Sequence, residues 1–212
     1  MSSDIKNRIA RRVAQDLPDG AYVNLGIGLP TLVADHLPAG REIVFHSENG
    51  LLGVGPAPAD DQADPDLINA GKMPITLLPG ASIFHHNDAF VMIRGGHLDY
   101  ALLGAFQVSA AGDLANWMTE GDTKAPAVGG AMDLAAGARE VWVLMEHTTR
   151  DGRPRILERC SFPLTAARVV KRIYTELAVI EVADGLIVRE MAEGVDFARL
   201  QAVTGAPLRL GL

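Results

Sequence analysis

The sequence predicts an α/β fold, an open and mostly parallel sheet flanked by helices. Short strand, loop and helix units follow one another along the chain, and several apolar runs are continuous, as in strands buried on both faces. Polar segments flanked by glycine also follow two of the strand candidates directly, at the strand ends where open α/β sheets hold their ligands.

Residues 4–17 place Ile5, Ile9, Val13 and Leu17 at helical spacing among Lys6, Arg8, Arg11 and Arg12, which predicts an amphipathic helix with a solvated basic face, ended by Pro18-Asp19-Gly20. A strand is expected over 21–25, opening into Gly26-Ile27-Gly28-Leu29-Pro30, then a short helix over 31–37. Residues 42–46 read as a second strand, followed by Ser47-Glu48-Asn49-Gly50 and a loop rich in Gly, Pro and Asp to about Pro65. The runs 75–78, 90–93 and 100–106 are expected as buried strands, and 140–146 as another. Residues 165–176 have helical apolar spacing after Pro163; a strand over 178–182, a turn at Gly185, a strand to Met191 and a short helix from about Asp196 close the chain.

With 48% apolar and 21% charged residues, the 212-residue chain has the profile of a globular protein, and one domain over 1–212 is the expectation. It has no run of about 18 apolar residues and no signal-peptide pattern at its start, so a soluble, cytoplasmic protein without a membrane partner is expected. The net charge of -7 argues against a nucleic-acid surface, which needs concentrated positive charge. Its lone cysteine, Cys160, excludes an intramolecular disulfide and reads as a structural thiol.

Three glycine-flanked segments can aim backbone N–H groups at an oxyanion or phosphate: Asn24-Leu25-Gly26-Ile27-Gly28, Ser47-Glu48-Asn49-Gly50 and Val128-Gly129-Gly130-Ala131-Met132-Asp133. Taken without context each reads as a tight turn before it reads as a binding loop, and Gly26-Ile27-Gly28 lacks the third glycine of a dinucleotide fingerprint. Glu48 is more informative, because a carboxylate after an apolar strand and before Asn-Gly is displayed at the lip of the sheet. It can be a general base, a metal ligand, a covalent nucleophile or a cap. No metal site is expected, since His46, His85, His86, His97 and His147 form no ligand pair at helical spacing.

The ordered segments Asn24-Leu25-Gly26-Ile27-Gly28, Ser47-Glu48-Asn49-Gly50-Leu51-Leu52-Gly53, Leu67-Ile68-Asn69-Ala70-Gly71-Lys72, Arg94-Gly95-Gly96-His97, Gly112-Asp113-Leu114-Ala115-Asn116-Trp117 and Gly129-Gly130-Ala131-Met132-Asp133-Leu134 resemble the B subunits of 3-oxoacid CoA-transferases, from about Ile5 to Leu210. The resemblance implies the CoA-transferase family fold, a separate A subunit in a hetero-oligomer, and ping-pong exchange of CoA between acids with no metal or redox cofactor. It implies Glu48 as nucleophile and Gly130 as an oxyanion donor beside Gly129. Asn24, with Gly26 and Gly28, is implied at the thioester and Lys72 along the same site, while Asn49 is placed there or as a fastener of its loop. Residues 118–127 depart from the family's Pro-Gly-Lys-Met, which leaves Lys124 either a substitute CoA contact or a solvated lysine.

Phe84-His85-His86, Pro126-Ala127-Val128-Gly129-Gly130 and Arg172-Ile173-Tyr174-Thr175-Glu176-Leu177 resemble the branch acting on succinyl-CoA and 3-oxoadipate. His85 or His86 is then either a donor to the distal carboxylate of that diacid or a structural pair in a turn. Acetoacetate or another short-chain acid is the alternative acceptor, and a sugar-phosphate isomerase or metabolite sensor on the same fold is the more distant one.

Overall fold

The computed structural model describes residues 2–119 and 127–211. Helix α1 (Ser3–Asp16) is capped by the Ser2 hydroxyl, which accepts from the Ile5 N–H, and it buries Ile9, Ala10, Val13 and Ala14. Its basic face is only partly solvated, because Arg12 pairs with Asp16 at 2.6 Å and with Glu190 at 2.7 Å.

Five parallel strands form the centre of a ten-stranded sheet: β1 (Tyr22–Leu25), β2 (Val44–Ser47), β5 (Tyr100–Leu103), β8 (Glu140–Leu144) and β10 (Val170–Tyr174), in the spatial order β10-β8-β5-β1-β2. Outside β10 lie β11 (Ala178–Ala183) and β12 (Gly185–Met191), both antiparallel to their inner neighbour, then β13 (Leu208–Leu210). Outside β2 lie the antiparallel β3 (Leu51–Val54) and β4 (Leu77–Ile83). The sheet is thus parallel in its middle and mixed toward both edges. A small second sheet joins β6 (Gln107–Ser109), β7 (Leu114–Ala115) and β9 (Ile156–Leu157) in the order β7-β6-β9.

The central strands are apolar on both faces because both faces are covered. Val23, Phe45, Leu102, Trp142 and Tyr174 cluster with α1 on one side. Ala101, Leu103, Val141, Val143 and Ile173 cluster on the other with Ile93 of α2 (His86–Arg94) and Leu134 of α3 (Ala131–Gly137). The period-two split within β5 and β8 produces this double packing. Emptying a fully buried position such as Leu102 would cost about 2–5 kcal/mol. Leu200 of α4 (Phe197–Ala202), whose N-cap Asp196 accepts from the Arg199 N–H, extends the second cluster.

Several elements differ from the sequence reading. Residues 165–176 form no helix: Val169, Val170, Ile173 and Leu177 have helical spacing, yet 170–174 is strand β10. The misleading residue is Arg172, which packs over Trp142 at 5.0 Å and pairs with Asp16 instead of facing solvent. Residues 90–93 lie in α2, not in a strand; a four-residue apolar run fits either, and here Ile93 is buried while Val91 is exposed. The short helix after β1 is a 3-10 helix over Leu29–His36. Part of the expected loop after Gly50 is strand β3, disguised by Gly53, which sits at φ 85 against Ala81.

Candidate active site

The carboxyl ends of β1, β2, β5 and β8 open into a cleft of about 520 Å³. Glu48 stands in the tight turn between β2 and β3, closed by the Gly50 N–H donating to the Ser47 carbonyl at 3.0 Å. Gly50 adopts φ 109 with its Cα against the Phe84 carbonyl, so a side chain there would collide with backbone. The turn therefore presents Glu48 in a fixed place, half-buried, at the cleft wall.

Gly130 begins α3 directly against this carboxylate: a Cβ built on it would overlap Glu48 Oε2 and lie 2.8 Å from Cδ. Burial, and secondarily the charge of Asp133 on α3, raise the Glu48 pKa above the ordinary carboxylate value. Asp133 is itself held by Arg94 of α2 at 2.7 Å. The result is a poorly hydrated carboxylate wedged against a glycine backbone, suited to attack on an acyl carbon or to proton transfer.

Asn24 is buried beneath the cleft, its Nδ2 2.9 Å from His46 Nδ1 and 3.3 Å from the His46 carbonyl. Burial pulls the His46 pKa down to about 4, so the ring is neutral; accepting the Asn24 amide at Nδ1 assigns its proton to Nε2. The Gly26 N–H donates to the Leu102 carbonyl at 2.8 Å, an approach that leaves no room for a Cβ.

A family model described as Coenzyme A transferase matches residues 6–202. The chain belongs to the coenzyme A transferase family. This CoA-transferase family member is 57% identical over 96% of its length to the B subunit of 3-oxoadipate CoA-transferase from Pseudomonas putida, covering 95% of that relative. It is 51% identical over 96% of its length to the beta subunit of acetate CoA-transferase from Escherichia coli strain K12, covering 93% of it. An acyl-CoA transferase apoenzyme from Escherichia coli O157:H7 superposes over 100% of the chain with a TM-score of 0.77 at 19% identity, a likeness of fold. The present chain spans 42% of that longer protein.

Of the residues singled out from the sequence, Asn24, Gly26, Glu48, Gly129 and Gly130 line the same cleft of this CoA-transferase. Gly28, at φ 89, starts the 3-10 helix and stands behind the lining residues Ile27 and Leu29. The Asn49 amide donates to the Ile68 carbonyl at 2.8 Å, so it fastens the turn to the following segment outside the cleft. Lys72 is exposed at φ 62, also outside the lining, although Ala70 two residues earlier belongs to it. His85 caps α2, its Nδ1 accepting from the Asn87 N–H at 3.2 Å, and His86 packs its ring on Phe90; neither lines the cleft. Lys124 and Pro126 lie outside the described residues.

Sequence reasoning missed Glu146, Arg155, Asn116 and Trp117, which line a further part of the cleft wall. Asn116 is braced by the Thr165 hydroxyl at 2.6 Å and by the Gly104 carbonyl at 3.1 Å; Trp117 Nε1 donates to Leu164 at 3.2 Å. The family motif contains Asn116-Trp117, the only signal that pointed to this wall. Cys160 is partly buried beside Asp113, its pKa raised to about 11 chiefly by burial, which makes it a poor nucleophile. Among the described residues no group of three or more His, Cys, Asp or Glu is placed to hold a metal ion, and no helix is long and apolar enough to cross a membrane.

Proposed function

We propose that this chain is the catalytic B-type subunit of a cytoplasmic CoA-transferase that moves CoA from succinyl-CoA to a 3-oxo acid, with 3-oxoadipate the favoured acceptor. The observation that carries the reading is the half-buried Glu48 carboxylate at the end of β2, held against Gly130 inside the cleft. The name of the relative at 57% identity supports 3-oxoadipate, and that of the relative at 51% keeps a short-chain acid as the second reading. Both names denote one subunit of an enzyme, which supports a separate A subunit completing the site.

In this mechanism the Glu48 carboxylate attacks the thioester carbonyl of succinyl-CoA, and the C–S bond breaks to give a mixed anhydride and CoA thiolate. The thiolate attacks the glutamyl carbonyl, expelling succinate and leaving a glutamyl-CoA thioester. The carboxylate of the acceptor acid attacks this thioester, forming a second anhydride and releasing thiolate again. Attack of that thiolate on the acceptor acyl carbon gives the new acyl-CoA and restores Glu48. Thioester and anhydride free energies are exchanged rather than lost, so the cycle needs no resident cofactor. Each tetrahedral oxyanion forms beside Gly130, whose N–H is the donor this chain contributes. Burial of Glu48 raises the energy of the ionised carboxylate, which the covalent adduct relieves.

Glu48→Gln in the co-purified two-subunit enzyme should reduce transfer at least 100-fold while leaving the unfolding midpoint within about 3 °C. Incubating the wild type with succinyl-CoA and then borohydride should modify Glu48 alone, as read by peptide mass. Turnover by the variant above about a hundredth of normal would remove Glu48 from the mechanism.

A further inference from the structure

We propose that Arg155 is the specificity residue of the cleft, binding the second carboxylate of a dicarboxylic acyl group. This rests on the CoA-transfer reading above and names the subsite that would select the acid.

Among the described residues the cleft has three charged side chains: Glu48, Glu146 and Arg155. A dicarboxylate whose first carboxyl group reacts at Glu48 brings a second negative charge into a cleft already holding two. Left unpaired there, that charge costs several kcal/mol, and Arg155 is the described group in the cleft able to offset it.

The guanidinium is prepared for such a ligand. Its one ion pair among the described residues is with Glu146 Oε2 at 3.6 Å, longer than a charge-assisted hydrogen bond, so its donor fork is not saturated. The backbone beneath is held on both sides: the Arg155 N–H donates to the His147 carbonyl at 3.1 Å, and its carbonyl accepts from the Val108 N–H at 3.0 Å. His147 in turn is buried and fixed through Thr175 at 3.0 Å and Thr204 at 2.8 Å. The planar guanidinium fork suits bidentate recognition of a carboxylate.

Arg155 lines the same cleft as Glu48. Glu48 follows β2 and Glu146 follows β8, three strand spacings away across β1 and β5, a span of about 14 Å. The capping role of His85 removes that residue as the distal donor and leaves Arg155 in its stead.

The test uses the co-purified two-subunit enzyme with succinyl-CoA as fixed donor, and compares kcat/KM for 3-oxoadipate and acetoacetate as acceptors in the wild type, Arg155→Met and Arg155→Lys. Arg155→Met should lower the 3-oxoadipate-to-acetoacetate ratio about 100-fold, chiefly through the KM for 3-oxoadipate, and Arg155→Lys should recover part of the loss. An equal fall for both acids would assign Arg155 to CoA binding or to the fold, and an unchanged ratio would leave it no role in selection; either result overturns the proposal. No transfer by the wild type to either acid would sink the CoA-transfer reading, and this subsite with it.

Discussion

The Glu48 carboxyl group answers to charges it does not touch through a hydrogen bond. Asp133 raises its pKa in addition to burial, and Arg94 offsets Asp133 through their 2.7 Å pair. Removing Arg94 leaves the Asp133 charge uncompensated, so Glu48 should hold its proton to higher pH. The acid limb of kcat/KM for the acyl-CoA donor should move up in Arg94→Ala and down in Asp133→Asn, by up to about 1 pH unit each. Profiles that moved in the same direction in both variants would sever the link. Arg94 is largely exposed, so high salt should blur its effect while leaving the contribution of burial in place.

At the scale of elements, the start of α3 is set by contact rather than by helix propensity. Gly130→Ala places a methyl group where the Glu48 carboxylate lies, and should lower kcat at least 100-fold with a shift of only about 1–3 °C in the unfolding midpoint. Gly137, at the other end of α3, is pressed on the Ile93 carbonyl of α2; Gly137→Ala should destabilise by about 1–3 kcal/mol in urea unfolding, with a smaller effect on kcat. These contacts also explain what was legible beforehand. Asn24, Glu48 and Gly130 were readable because each lies in a contiguous polar segment, two of them following strands whose apolar runs are local. Glu146 and Arg155 were not, because the strand order β8-β5-β1-β2 brings the first to the cleft, backbone pairing of Arg155 with His147 and Val108 brings the second, and neither has an unusual neighbour in sequence. Strand β10 was misread for a related reason: a residue such as Arg172, partnered across the sheet by Asp16, looks like the wet side of a helix until that partner is known. The glycine-rich run 128–134 likewise concealed α3, since its apolar residues are too few to show a period.

At the scale of the molecule, two buried histidines tie the stability of the fold to acidity. Burial lowers both His46 and His147 from the usual value near 6.5 to about 4. The unfolded chain binds more protons than the folded one between these limits. The stabilisation is therefore complete above about pH 6.5 and is lost as pH falls toward 4, on the order of 3 kcal/mol per histidine. Glu48, whose pKa is raised, acts in the opposite sense and offsets part of the loss. The unfolding midpoint should fall steadily from pH 6.5 to 4.5, and His147→Gln, less stable at neutral pH for want of its imidazole bonds to Thr175 and Thr204, should show a shallower fall. The ten-stranded sheet ends on one side at β4, where the ladder to β3 slips between Leu52 and Val54, Gly80 turns to φ 86, and Pro79 has no N–H to offer. A straight outer strand is a template on which further chains can stack without limit, whereas a kinked one with a missing donor terminates growth after a single molecule. Pro79→Thr, which restores the missing donor and leaves Gly80 its positive φ, should therefore turn a dispersed protein into one that grows elongated particles with time and concentration, visible in light scattering.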